Sequence, residues 1–166
     1  MQYSVWVIPP EPLYGNLKKI IDSLATKFHG PTFEPHMTLF SVADLNLSQV
    51  KETLSLLTKP ENELALSLGP VSFSTTYYQS VFVRVNSTAQ LMQLNLNAKK
   101  YFNLNNDVYM PHMSLIYGAH DLKTRENIAS QIKLTEEKFV GKDLTIIEFR
   151  ENTTKWEHLA TIPLGK

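Results

Sequence analysis

The chain has 166 residues, 43% of them hydrophobic and 19% charged, which fits one folded domain with a substantial core and excludes a disordered chain. Sixteen Lys and Arg offset sixteen Asp and Glu, so no global positive field draws in long nucleic acid, while small anionic ligands remain open. Cysteine is absent, which excludes disulfide scaffolds, thiolate metal sites and a cysteine nucleophile.

Residues 3–8 are β-branched and aromatic and stop at Pro9-Pro10, the mark of a strand followed by a loop. No basic region precedes them and no apolar run reaches the length of a membrane span, so a cytoplasmic location without membrane contact is expected. Leu17, Ile20, Ile21, Leu24 and Phe28 recur at helical spacing, which predicts an amphipathic helix over 14–29 closed by Gly30-Pro31. Residues 34–41 read as extended. Leu47, Val50, Leu54 and Leu57 mark a second helix, ended by Pro60.

Leu64, Leu66 and Leu68 alternate with polar residues as in a half-buried strand, which Gly69-Pro70 is expected to interrupt. Residues 76–85 read as a further strand. Ser87-Thr-Ala-Gln90 has the form of a capping box, opening a helix with Leu91, Leu94, Ala98, Tyr101 and Phe102 on one side. A polar loop at 103–107 leads to an extended segment, 109–117. A weaker helix over 122–134 and strands over 144–150 and 156–162 complete the chain. The expected class is α+β, with helices packed on sheet faces, in one domain spanning 1–166.

One pentapeptide occurs twice. Pro35-His36-Met37-Thr38-Leu39 is echoed 76 residues later by Pro111-His112-Met113-Ser114-Leu115, each after a helix and a loop. The spacing is close to half the chain and suggests two similar lobes. Side chains two apart on a strand share a face, so His36 goes with Thr38 and His112 with Ser114, while the Met and Leu residues anchor the opposite face.

Two such strands across a groove present two imidazoles and two hydroxyls, a set suited to opening a cyclic phosphodiester. One neutral imidazole takes a proton from attacking water, and the other, protonated, gives one to the departing oxygen; either order satisfies in-line attack. The Thr38 and Ser114 hydroxyls can donate to the non-bridging phosphate oxygens. No metal is required by this scheme, and His29, His120 and His158 form no metal-ligand spacing, so no metal or other cofactor is expected. His29 suits a helix C-terminus, His120 a surface loop, and His158 the last strand. Trp6, Tyr77, Tyr78 and Tyr117 are candidate nucleobase contacts, though core packing explains any one of them as well. Arg84 could meet a phosphate or simply face solvent.

At these residues the chain resembles the 2H phosphoesterase superfamily, with its paired His-x-Thr/Ser motifs, and within it the cyclic phosphodiesterase branch of plants and yeast. The similarity is carried by Tyr3-Ser-Val-Trp6, by Gly30-Pro31-x-Phe33-x-Pro35-His36-x-Thr38, by the aromatic-Gln-x-Val-Phe stretch ending at Phe82, and by Tyr109-Met-Pro-His112-x-Ser114-Leu115-x-Tyr117, with Trp156 a late match. The resemblance implies a bilobal fold with two pseudo-symmetric lobes of antiparallel sheet, outer helices and a central cleft. It implies hydrolysis of ADP-ribose 1″,2″-cyclic phosphate to the 1″-phosphate and of nucleoside 2′,3′-cyclic phosphates to 2′-phosphates. By motif match His36 and His112 carry acid–base roles, Thr38, Ser114 and Tyr117 bind phosphate, and Trp6 lines the cleft. A regular strand would turn Tyr117 away from His112 and Ser114, so that role needs a bend near Gly118. The implied partner is a small cyclic phosphate bound by a monomer, without stable binding of long nucleic acid. The rival readings are a 2′–5′ RNA ligase or RNA-end processing enzyme of the same superfamily, and a non-catalytic nucleotide-binding domain.

Overall fold

The computed structural model describes residues 2–134, 137–150 and 155–165, so the two end residues of the expected single domain lie outside the described residues. Eight strands and four helices follow in the order β1 (Gln2–Val7), α1 (Leu13–Phe28), β2 (Met37–Ala43), α2 (Leu47–Thr58), β3 (Leu64–Phe73), β4 (Val81–Val85), α3 (Ala89–Tyr101), β5 (His112–Ile116), α4 (Leu122–Gln131), β6 (Lys138–Gly141), β7 (Asp143–Glu148) and β8 (His158–Pro163). All strands join one antiparallel sheet in the order β6-β3-β4-β5-β2-β1-β7-β8. Among the described residues no helix is long and apolar enough to cross a membrane.

The sheet is symmetric about its centre. β5 and β2 meet there through the pair Met113–Met37, the middle residues of the two repeated pentapeptides. Outward from that seam β4 corresponds to β1, β3 to β7 and β6 to β8, so the two lobes expected from the repeat are the two halves of this sheet. The helices cross over: α1, which follows β1, packs on β5, and α3, which follows β4, packs on β2. Met37 and Met113 are fully buried in the helix-side core, each stabilising the seam by roughly 1.5–3 kcal/mol.

Alternation assigns each face. On β1, Tyr3, Val5 and Val7 enter the main core, leaving Gln2, Ser4 and Trp6 on the other side. On β2 the core takes Met37 and Leu39 and then, without a break, Phe40 and Val42. This follows from a bulge: Trp6 pairs with Thr38 but Val5 pairs with Phe40, so Leu39 is an extra residue. The second half repeats it, since Phe82 pairs with Ser114 and Val81 with Ile116, leaving Leu115 extra.

Several local expectations change. β3 runs through Gly69-Pro70 because a register shift between Leu68 and Val71 accommodates them. The strand expected from 76 begins only at Val81; before it lies a loop in which the Ser74 hydroxyl donates to the Gln79 carbonyl over 2.7 Å. Thr88, rather than Ser87, caps α3, its hydroxyl accepting from the Leu91 N–H at 3.1 Å, and Tyr101 faces solvent instead of the core. α4 stops at Gln131, short of 134, and β6 is a strand additional to those expected. Trp156 precedes β8 rather than opening it.

Candidate active site

The face of the sheet opposite the main core carries a cleft of about 300 Å³ centred on the β2–β5 seam. β1 supplies Ser4 and Trp6, the β2 segment His36, Thr38 and Ser41, and the β5 segment His112, Ser114 and Tyr117. The six residues given site roles by motif match, Trp6, His36, Thr38, His112, Ser114 and Tyr117, therefore line one cavity.

The two imidazoles are held alike. His36 donates its Nδ1–H to the Glu34 carbonyl at 2.6 Å, and His112 donates its own to the Met110 carbonyl at 2.8 Å. In each case the acceptor is the residue two positions earlier, just ahead of the Pro-His step. A bond of this kind fixes the tautomer and leaves Nε2 as the working atom, an acceptor when neutral and a donor when protonated. The repeat thus yields two imidazoles held by the same Nδ1 bond to their own chain.

Their surroundings differ. His36 is 9% exposed and stacks on Trp6, ring centroids 3.6 Å apart and planes within 11°, with Phe33 and Trp156 at its edges. Burial lowers its pKa from 6.5 to about 4; the Glu34 carbonyl opposes the shift and the nearby His112 adds to it. His112 is only half-buried and has Phe82 edge-on at 5.3 Å. Its pKa is also lowered, first by burial and then by the charge of Arg84, which faces it across β4–β5; the Met110 carbonyl again opposes. Arg84 itself is exposed and does not line the cleft.

Trp6 is 2% exposed, with one face against His36 and its edge against Trp156. Its Nε1–H donates to Ser4 Oγ at 2.9 Å, which also accepts from Ser41 Oγ at 3.2 Å. It therefore backs the imidazole within the cleft wall. The more open aromatics are Tyr78, Phe149 and Trp156, which contact one another along the rim. Tyr77 lies outside the lining and packs on Tyr78.

Tyr117 reaches the cleft by a different route from the one expected. The extra residue Leu115 reverses the alternation within β5, which already returns Tyr117 to the side of His112 and Ser114, and the chain then bends at Gly118, as expected, where φ is +153°. Its ring stacks on Phe33 at 3.8 Å, and burial, with Tyr78 and Tyr77 beside it, raises its pKa, so the hydroxyl remains a donor. The Leu39 bulge brings Ser41 to the cleft by the same logic, and strict alternation could not have found it.

Ser114 is engaged within the protein: its hydroxyl donates to the Tyr78 carbonyl at 2.6 Å. A phosphate oxygen would have to compete for that proton. The loop bearing Tyr78 is pinned from behind by Arg125 of α4, 4% exposed, whose guanidinium donates to the carbonyls of Ser74 (2.6 Å), Thr76 (2.8 Å), His120 (2.7 Å) and Gly118 (3.1 Å). Four carbonyls from two segments replace a counter-ion, and both segments adjoin cleft residues. Nothing in the sequence around Arg125 marks it.

Behind His36, the Glu34 carboxylate bonds His158 Nε2 at 2.7 Å and accepts from the Tyr14 hydroxyl at 3.3 Å, tying β8 and α1 to the segment that holds the imidazole. His29 sits at the C-cap of α1, as its position suggested. Among the described residues no three His, Asp or Glu side chains gather at metal-binding distance.

Comparison with known proteins agrees with this architecture. Among solved structures, TT0787 of Thermus thermophilus aligns over 99% of this chain and 98% of its own, with a TM-score of 0.68 and 14% identity. E. coli LigT, solved in complex with 3′-AMP, aligns over 99% and 98%, with a TM-score of 0.65 and 15% identity. A protein from Arabidopsis thaliana described as a cyclic phosphodiesterase is 30% identical over 126 residues, covering 75% of this chain and 70% of that one. The family model for cyclic phosphodiesterase-like proteins matches residues 1–162. With the paired histidine strands in one cleft and that match over nearly its whole length, the chain belongs to the cyclic phosphodiesterase-like family and is a phosphodiesterase of the 2H superfamily.

Proposed function

We propose that this cleft opens small ribose cyclic phosphates by acid–base catalysis between His36 and His112, turning nucleoside 2′,3′-cyclic phosphates into 2′-phosphates and ADP-ribose 1″,2″-cyclic phosphate into the 1″-phosphate. The observation that carries the reading is the matched pair of imidazoles, each fixed through Nδ1 by its own chain and each on the same cavity wall.

In the proposed step a water oxygen forms a bond to phosphorus while the opposite bridging P–O bond to ribose breaks. Nε2 of one imidazole accepts the water proton and Nε2 of the other delivers a proton to the ribose oxygen, so the ring opens to a phosphomonoester with no net change in protons on the pair. We assign the base to His36, because its deeper burial keeps it neutral at a pH where the more open His112 can hold a proton. Thr38, Ser114 and Tyr117 donate to the non-bridging oxygens, with Ser114 exchanging the Tyr78 carbonyl for the phosphate. Trp6 serves as the backing plate of His36. The reading includes action as a cytoplasmic monomer, in a single domain, on a small-molecule substrate. It rests in part on the balanced charge, which offers no extended track for a nucleic-acid strand.

The test is a product assay with ADP-ribose 1″,2″-cyclic phosphate and the four nucleoside 2′,3′-cyclic phosphates, resolving 2′- from 3′-monophosphates. Exclusive 2′-phosphate products support the reading. Preference for oligonucleotides, or 3′-phosphate products, would contradict it.

A further inference from the structure

His36 and His112 are held alike through Nδ1, but the residues carrying the two accepting carbonyls differ. At the second strand that residue is Met110, whose thioether forms no ion pair; at the first it is Glu34, and both of its carboxylate oxygens are engaged. Glu34 Oε2 accepts from His158 Nε2–H at 2.7 Å, and Oε1 accepts from the Tyr14 hydroxyl at 3.3 Å. His158 is the first residue of β8 and lies 124 positions from Glu34; Tyr14 belongs to the first turn of α1. The clasp has no counterpart at His112.

The sheet explains why His158 can reach it. Ile147 pairs with His158 and Ile146 with Ala160, so Leu159 is an extra residue in β8. Ile147 pairs in turn with Ser4, which lines the cleft, so the bulge turns His158 to the cleft side of the sheet. Two residues earlier stands Trp156, edge-on to His36 at 6.2 Å and to Trp6 at 5.5 Å between ring centroids. Trp156 precedes β8 and has no ladder partner among the described residues. Its Nε1–H donates to the Arg150 carbonyl at 3.3 Å, and the first strand residue after it is His158. The His158 and Glu34 side chains are 41% and 25% exposed, and a pair so open to water adds little to global stability. Its effect is local. A ring of contacts runs from the His36 imidazole through Trp156 and His158 to the Glu34 carboxylate, and back through the Glu34 carbonyl to His36 Nδ1.

We propose that Glu34 and His158 are positioning residues for His36, their clasp holding Trp156 against the imidazole and so keeping water from it. The effect on rate rests on the reading of His36 as the base; the effect on the ring does not. Burial is the main cause of the low pKa of His36, and His112 is the titratable group that adds to it from the facing strand. Tyr14, raised by burial and by Glu34, stays a hydroxyl donor to the clasp.

The experiment is an NMR titration of the His36 ring in substrate-free wild type, His158→Ala, Glu34→Ala, Glu34→Gln and Trp156→Leu, with kcat/KM for a nucleoside 2′,3′-cyclic phosphate followed against pH in each. The ring titrates at about 4 in wild type. In His158→Ala, Glu34→Ala and Trp156→Leu it should rise to about 5 or above as water reaches it. Combining His158→Ala with Trp156→Leu should add nothing further, and Glu34→Gln, which keeps an oxygen acceptor for His158, should stay near wild type. The acid limb of kcat/KM should move up with the ring. An unmoved ring in His158→Ala overturns the proposal, whatever Trp156→Leu does, because a clasp that only braces the fold would alter stability and leave the ring as it was. If Glu34→Ala does not fold, His158→Ala, at an exposed position, decides. A ring that moves while the acid limb stays, or in a protein without turnover, sustains the clasp and removes His36 as the base.

Discussion

Acidification should destabilise this protein through His36, by an amount the structure sets. The ring is covered by Trp6 on one face and edged by Phe33 and Trp156, and burial holds its pKa at about 4 against 6.5 in the unfolded chain. Between those two values the unfolded state binds the extra proton and the folded state does not. Stability therefore rises with pH across the window, is fully present above about 6.5, and is lost as pH falls through about 4. A gap of that size corresponds to about 3 kcal/mol once titration is complete, a large share of the roughly 5–15 kcal/mol that holds a domain together. Denaturant unfolding of wild type and His36→Gln at neutral pH and near pH 4 isolates the effect. Wild type should lose about 3 kcal/mol more than the variant over that interval. NMR titration of the ring protons reads the pKa directly, and Trp6→Leu, which uncovers one ring face, should move it up. A ring pKa at or above 6.5 in wild type, or equal pH slopes for the two proteins, would refute the reasoning.

Other expectations concern the cleft. Because both imidazoles titrate below their ordinary value, kcat/KM for a cyclic phosphate should peak on the acid side of neutrality, while kcat should peak at higher pH because a bound phosphate anion favours the charged imidazole; a pH–rate series in EDTA shows both. Arg125→Ala strands four carbonyls and should cost about 3–5 kcal/mol in denaturant unfolding, with Arg125→Lys losing less and raising KM more than it lowers kcat. Equal stability of Arg125→Ala and wild type would show that the loop holds without it. Ser114→Ala removes the donor proposed for the developing charge and should lower kcat/KM about 10²-fold in steady-state assays, whereas a loss under threefold would leave Ser114 tied to Tyr78 throughout the reaction.

The sequence disclosed most of what depends on short-range order. A doubled pentapeptide pointed to two equivalent strands, and period-two alternation put His36 with Thr38 and His112 with Ser114 on the cleft side. Helix positions followed from the spacing of Leu17, Ile21, Leu54 and Leu91, all of which are buried. Features that arise from pairing between strands were out of reach. The bulges at Leu39 and Leu115 exist only because β1 and β4 lie alongside, and they decide the fate of Ser41 and Tyr117. Gly69-Pro70 looked like a strand end because the register shift that absorbs it involves β4. Arg125 is a long-range residue, 51 positions from the Ser74 carbonyl it holds, and the role of Trp6 as a plate behind His36 depends on the β1–β2 register.

The central claim is that His36 and His112 act together on one phosphate. It is met most directly by turnover of a nucleoside 2′,3′-cyclic phosphate in EDTA by wild type, His36→Ala, His112→Ala and the double variant. Each single substitution should reduce kcat by about 10²–10⁴-fold, with the double variant little worse than either, as for groups that work as a unit. A single variant within about threefold of wild type, or independent effects that multiply in the double, would contradict the account.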